Sequence, residues 1–161
     1  MSAYIFLAVD GVLNTPDDWI AEKSLTGLEA PKNLINRTKA GLLKYLVEAT
    51  GSEIVLTCSW RFLTEEQGLG QKLKEIGWEN ASEVIVDHTP EHYGSTRDRE
   101  VGEWLYNNCP STTNFVVIDS IAPLHWHQGF QKHLVHINPD VGLTMQDVNN
   151  AIKILKGGSS E

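Results

Sequence analysis

The chain has 161 residues, 41% of them hydrophobic and 21% charged, with a formal net charge of −8. That is enough chain for one domain with a sizeable core, and the lack of any Lys/Arg cluster argues against a long nucleic-acid strand as partner, since backbone-tracking proteins carry a basic patch. No run approaches the roughly 18 apolar residues of a membrane span, no leader-like segment is apparent, and Cys58 and Cys109 stand far apart without metal spacing, so a reduced cytoplasmic protein is expected.

The first element is Ile5-Phe6-Leu7-Ala8-Val9, an apolar run that leads into Asp10 and is stopped by Gly11. Such a run predicts a buried parallel strand, and its end is where open α/β sheets hold their ligands. Strand alternation would turn Ala8 and Asp10 the same way, roughly 6–7 Å apart. Residues 15–31 are expected as a loop placed to cover that end. Apolar residues at helical spacing from Lys32 to Ala49 predict a helix, with Pro31 at its first turn and Gly51 as its stop. Glu53 to Thr57 is the second strand. Thr64, Glu65 and Glu66 open a helix expected to run to about Ile76. Glu83 to Val86 is a short third strand. A polar loop follows over Asp87 to Thr96, then a helix from Arg97 to Tyr106. Phe115 to Ile118 is the fourth strand, ending at Asp119. Ser120 to Lys132 is irregular, and Leu134 to Ile137 is the fifth strand. Thr144, with Asp147 three residues on, caps the last helix. The alternation implies one α/β domain over residues 1–156, with a parallel five-stranded sheet and helices on both faces. Residues 157–161 are expected to be a disordered tail.

This topology would gather a hydroxyl, a guanidinium and two carboxylates on one rim. Asp10 ends the first strand, Thr57 the second and Asp119 the fourth, while Arg97 opens a helix after the polar loop. Such a set suits a phosphate beside a divalent cation such as Mg²⁺, which takes one or two carboxylates plus water and phosphate oxygens. Taken singly, Thr57 is an ordinary strand residue and Arg61 or Arg97 a surface ion-pair partner. Their combination in order carries the functional reading. His125-x-His127 and His133-x-x-His136 lack a further set at zinc spacing and are taken as surface or packing residues. Trp60 is taken as core.

Ala8-Val9-Asp10-Gly11-Val12 resembles motif I of the haloacid dehalogenase (HAD) superfamily, Asp-x-Asp-Gly-[Val/Thr], with alanine in the slot of the nucleophilic Asp. Ile54-Val55-Leu56-Thr57-Cys58-Ser59-Trp60-Arg61 is similar to Val-Leu-[Ser/Thr]-Ser-Ser-Trp-Arg of a small branch found in Swiss Army knife RNA-repair proteins and in stand-alone bacterial and phage relatives. Gly94-Ser95-Thr96-Arg97, with Glu100-Val101 and Trp104-Leu105, resembles that branch's Arg-Gly-x-Glu-Ile-x-x-Trp-Leu, and Gly142-Leu143-Thr144 also matches. The resemblance spans nearly the whole chain and implies a single-domain, Rossmann-like HAD fold with a minimal cap, in a bacterial or phage-infected cell.

The resemblance implies a Mg²⁺-dependent phosphomonoesterase acting on a nucleotide or a nucleic-acid terminal phosphate. An Asp at position 8 would attack phosphorus, and Asp10 would serve as acid and base. Thr57, Cys58, Ser59, Arg61 and Arg97 would hold phosphoryl oxygens. Asp10, Asp119 and Ser120 would hold the metal, although Ser120 replaces an acid common in the family. Arg97 is expected to clamp phosphate with little part in stability. With Ala8 the chain is expected to be inactive, as a substrate-trapping variant would be. The rival reading is a naturally inactive relative that sequesters a phosphorylated nucleotide or signalling molecule. Cys58 has no evident basic partner except Arg61 and occupies a different slot from Ala8, so it is not expected to replace the nucleophile.

Overall fold

β1 (Ala3–Leu7) runs through the middle of a five-stranded sheet. Its neighbours are β2 (Glu53–Leu56) and β4 (Asn114–Asp119), and β3 (Ile85–His88) and β5 (Leu134–His136) form the edges. The order is β3-β2-β1-β4-β5, and every pairing is parallel. The computed structural model describes residues 2–157, so residues 158–161 of the expected tail lie outside the described residues.

The strand period of two divides the core between the sheet's faces. Ile5 and Leu7 pack with Leu43, Leu46, Val148 and Ile154 of α2 (Arg37–Thr50) and α6 (Met145–Leu155). Phe6 turns the other way and meets Trp104 of α5 (Arg97–Asn108) edge-on, ring centroids 5.5 Å apart. The three strands are apolar on both faces because helices cover both, which is why they read as continuous apolar runs.

Residues 15–31 depart from the expected loop. Pro16–Thr26 is a helix, α1, with Pro16 in its first turn and Gly27 at its C-cap. Thr15 opens it by donating its backbone N–H to Asp18 Oδ2 at 2.8 Å. It buries none of its residues, so no apolar stripe announced it. α2 starts later than expected, because Asn36 accepts from the Lys39 N–H and fixes the first turn there. α3 is confined to Leu69–Glu75, since residues 64–68 form turns ahead of its Gly68 N-cap. A helical turn, α4 (Ala81–Val84), takes the start of the expected third strand and moves β3 on to Ile85–His88. Thr144 and Asp147 close the predicted capping box on α6.

Candidate active site

The regular strand ends at Leu7, before the motif residues. Ala8 still donates its N–H to Ile118 O at 3.1 Å, and a turn then forms as Leu13 N–H reaches Val9 O at 2.8 Å. Gly11 sits at φ +82°, and a Cβ there would lie 3.1 Å from Pro139 Cβ and 3.2 Å from Ser120 Oγ. Only glycine meets both demands without strain. Buried Asn14 locks the turn: its Oδ1 accepts from Gly11 N–H, and its Nδ2 donates to Asp10 Oδ1 and Leu34 O. Trp60 Nε1 also donates to Asp10 Oδ1, at 3.0 Å. One carboxylate oxygen of exposed Asp10 is thus pinned by two donors, and the group is aimed by structure rather than by a free rotamer.

Thr57 follows β2 and joins the sheet through its N–H to Leu7 O at 3.1 Å. Its hydroxyl is buried and has no hydrogen-bond partner among the described residues. Burying a hydroxyl unpaired costs about 1–3 kcal/mol, so Thr57 Oγ1 has room for a partner from outside the protein. Cys58 is next and also buried; burial pushes its thiol above the ordinary value, against the opposing pull of the Trp60 and Val9 backbone N–H groups and of Arg97. A thiol held in its neutral form is a poor nucleophile.

Arg61, expected to hold a phosphate oxygen, turns its Nη1 into the fold. Its Nη1 donates to Thr57 O at 3.1 Å and Thr89 Oγ1 at 2.7 Å, and it pairs with Glu100 Oε1 at 3.4 Å. Both charged side chains are only 6% exposed, so the pair braces the site, while Arg61 Nε has no partner among the described residues and the side chain still lines the recess beside Thr57. The reason for the inward turn is Glu100, a buried acid one helical turn beyond Arg97. An isolated carboxylate could not stay charged there, and it takes the nearest guanidinium as its partner. Glu100 and the Asp10-holding role of Trp60 were not predicted from sequence. A charged residue on the inward face of an apolar helical pattern was the available signal for the first.

Arg97 stands at the first turn of α5 and donates from Nη1 to Asp119 Oδ2 at 2.6 Å. The Asp119 side chain is fully buried, whereas that of Arg97 is 29% exposed. Asp119 Oδ1 accepts from Ile121 N–H at 3.1 Å. Ser120 directs its carbonyl to His136 Nε2, while its hydroxyl lies against Gly11. Thr57, Cys58, Ser59 and Arg97 line one recess, walled by the 91–95 loop. Asp10 lines the adjoining recess, and Ser59 belongs to both.

Part of the donor set expected for a divalent cation is already engaged within the protein, while Asp10 Oδ2 has no partner among the described residues. Position 8 offers a methyl group. Both oxygens of Asp119 are engaged, one of them by a guanidinium that already balances its charge. Among the described residues no three His, Cys, Asp or Glu side chains gather as a metal set. The rim also carries one partly exposed guanidinium and one hydroxyl without a protein partner.

An all-parallel sheet with its polar groups at the carboxyl ends of β1, β2 and β4 defines a Rossmann-like α/β protein. Residues 4–148 match the HAD domain in Swiss Army Knife RNA repair proteins, and the chain belongs to that family. Membership places it, at the level of the superfamily, among phosphatase-type hydrolases. No curated protein and no solved structure matched in the other two comparisons. Among the described residues no helix is long and apolar enough to cross a membrane.

Proposed function

We propose that this is a phosphomonoesterase site for a nucleotide or a nucleic-acid terminal phosphate, held by Ala8 in a form that binds and does not turn over. The observation that carries the reading is the buried Thr57 hydroxyl, unsatisfied by protein, in a recess shared with Arg97. A phosphoryl oxygen would give that hydroxyl its partner, and Arg97 would neutralise charge from the opposite wall. Asp10, aimed by Asn14 and Trp60, would give a proton to a leaving oxygen. With no group at position 8 to attack phosphorus, no covalent step is available to the chain as it stands. Reduced cysteines and the absence of a basic stripe favour a cytoplasmic setting and a small partner.

A second reading, natural sequestration of a phosphorylated ligand, is favoured by the Arg97–Asp119 ion pair together with Ser120. That pair balances an acid which would otherwise call for a metal. One comparison separates the two readings. Phosphate release from aryl phosphate and nucleotides is measured for the chain, for Ala8→Asp and for Ala8→Asp/Asp10→Asn, each with Mg²⁺ and with chelator. The enzyme reading expects release only from Ala8→Asp, only with Mg²⁺, and its loss in the double variant. A folded Ala8→Asp protein inert on the whole panel would leave sequestration as the function.

A further inference from the structure

The recess beside Asp10 is lined by Asp10, Trp19, Lys32, Ser59, Trp60 and Leu63. Its walls are largely aromatic and aliphatic, and it shares Ser59 with the polar recess. Trp60 is buried and hydrogen-bonded to Asp10, so its ring is fixed in place. Trp19 has a different origin. It comes from α1, a helix that buries none of its residues, and it belongs to neither cluster of the hydrophobic core. The fold therefore gains little from a tryptophan at this position, yet a half-buried indole lines the same recess as the Asp10 carboxylate. Lys32 is exposed and makes no ion pair among the described residues, where Lys23, by contrast, pairs with Glu29 at 2.7 Å.

We infer that this recess is the leaving-group subsite, and that it selects a phosphomonoester carrying a flat aromatic ring with a second anionic group beside it. The inference rests on the phosphoryl-site reading above. If Thr57 and Arg97 take the phosphoryl oxygens in one recess, the bridging oxygen and all it carries must pass Ser59 toward Asp10, the group suited to exchange a proton with it. A ring entering there meets the face or edge of Trp19 beside the fixed Trp60. Stacking of this kind tolerates any base, because every base presents a π-face. Lys32 at the rim then meets the second negative charge, as a point cation suited to a phosphate. A nucleoside 3′,5′-bisphosphate and the 5′-phosphorylated end of a short oligonucleotide share this chemistry.

The test is calorimetric titration of the full chain with inorganic phosphate, glycerol 3-phosphate, a nucleoside 5′-monophosphate, a nucleoside 3′,5′-bisphosphate and a 5′-phosphorylated dinucleotide. The monophosphate should bind about tenfold or more tightly than glycerol 3-phosphate, in keeping with one base stacked on an aromatic side chain. The bisphosphate and the dinucleotide should exceed the monophosphate, and the tighter of these two identifies the source of the second charge. Trp19→Ala should erase the advantage of the ring and leave inorganic phosphate unchanged. Lys32→Ala should erase only the advantage of the second anion. Phosphate binding with no gain from the ring, or a Trp19→Ala loss that is equal for phosphate and nucleotide, overturns the subsite alone. No binding of any ligand, inorganic phosphate included, overturns the phosphoryl site beneath it.

Discussion

Arg97 shows how one side chain serves two ends. It faces the ligand recess, and it is also the counter-charge of an Asp119 carboxylate that is wholly buried. Its guanidinium should contribute about 1.5–3 kcal/mol to binding a phosphorylated ligand. The expectation that its loss would barely touch stability is corrected by the geometry, because Arg97→Ala strands a buried charge, at a cost on the order of 3 kcal/mol. Urea unfolding should therefore show a marked drop for Arg97→Ala. The double variant Arg97→Ala/Asp119→Asn should recover much of it without recovering ligand affinity. A single variant as stable as the parent would show that the Arg97–Asp119 pair contributes nothing to folding.

At the scale of elements, the sheet edge near β5 carries a proton-linked contact. His133 closes the turn before β5, its ring stacked on Phe115 at 4.0 Å and its Nδ1 3.0 Å from Phe115 O. Burial holds its pKa below the ordinary value, with Lys132 pressing the same way and the Phe115 carbonyl opposing. A lowered folded value means that the unfolded chain takes up the proton first. The contribution is therefore complete above the ordinary histidine value of about 6.5 and is lost as pH falls through the folded value. Stability measured from neutral pH down to about 5 should fall less steeply in His133→Leu than in the parent. Parallel slopes would sever His133 from the acid response. The elements that sequence made legible were those whose apolar residues keep a period. β1, β2 and β4 are apolar on both faces, and α6 announces itself through Thr144 and Asp147. α1 has no buried face, so its Thr15-Pro16 start and Gly27 stop were the only local signs of a helix. The site was legible as a set of strand-end residues. The inward turn of Arg61 was not, because it depends on Glu100, 39 residues away in the chain.

For the whole molecule, a formal net charge of −8 bears on the kind of partner proposed above. The cations near the site are few: Lys32 at one recess makes no ion pair among the described residues, while Arg97 is paired with Asp119 and Arg61 with Glu100. So few cations suit one or two phosphates and leave the rest of a strand repelled by an acidic surface. In a titration at moderate salt, a long labelled single strand should bind no more tightly than a short 5′-phosphorylated oligonucleotide. Affinity that climbs with strand length would point to a nucleic-acid track elsewhere on the surface.

The Thr57 hydroxyl has a thermal consequence. The free protein carries an unmet polar group at the spot where sheet, turn and helix converge, and a ligand that meets it binds the native form and not the unfolded chain. Each tenfold excess of such a ligand over its dissociation constant adds about 1.4 kcal/mol to the folded state. For a chain of this length that amounts to a few degrees in melting temperature. Heating the protein beside a library of phosphorylated compounds, and ranking them by the delay in melting, would let the fold itself report its ligand before any turnover is seen.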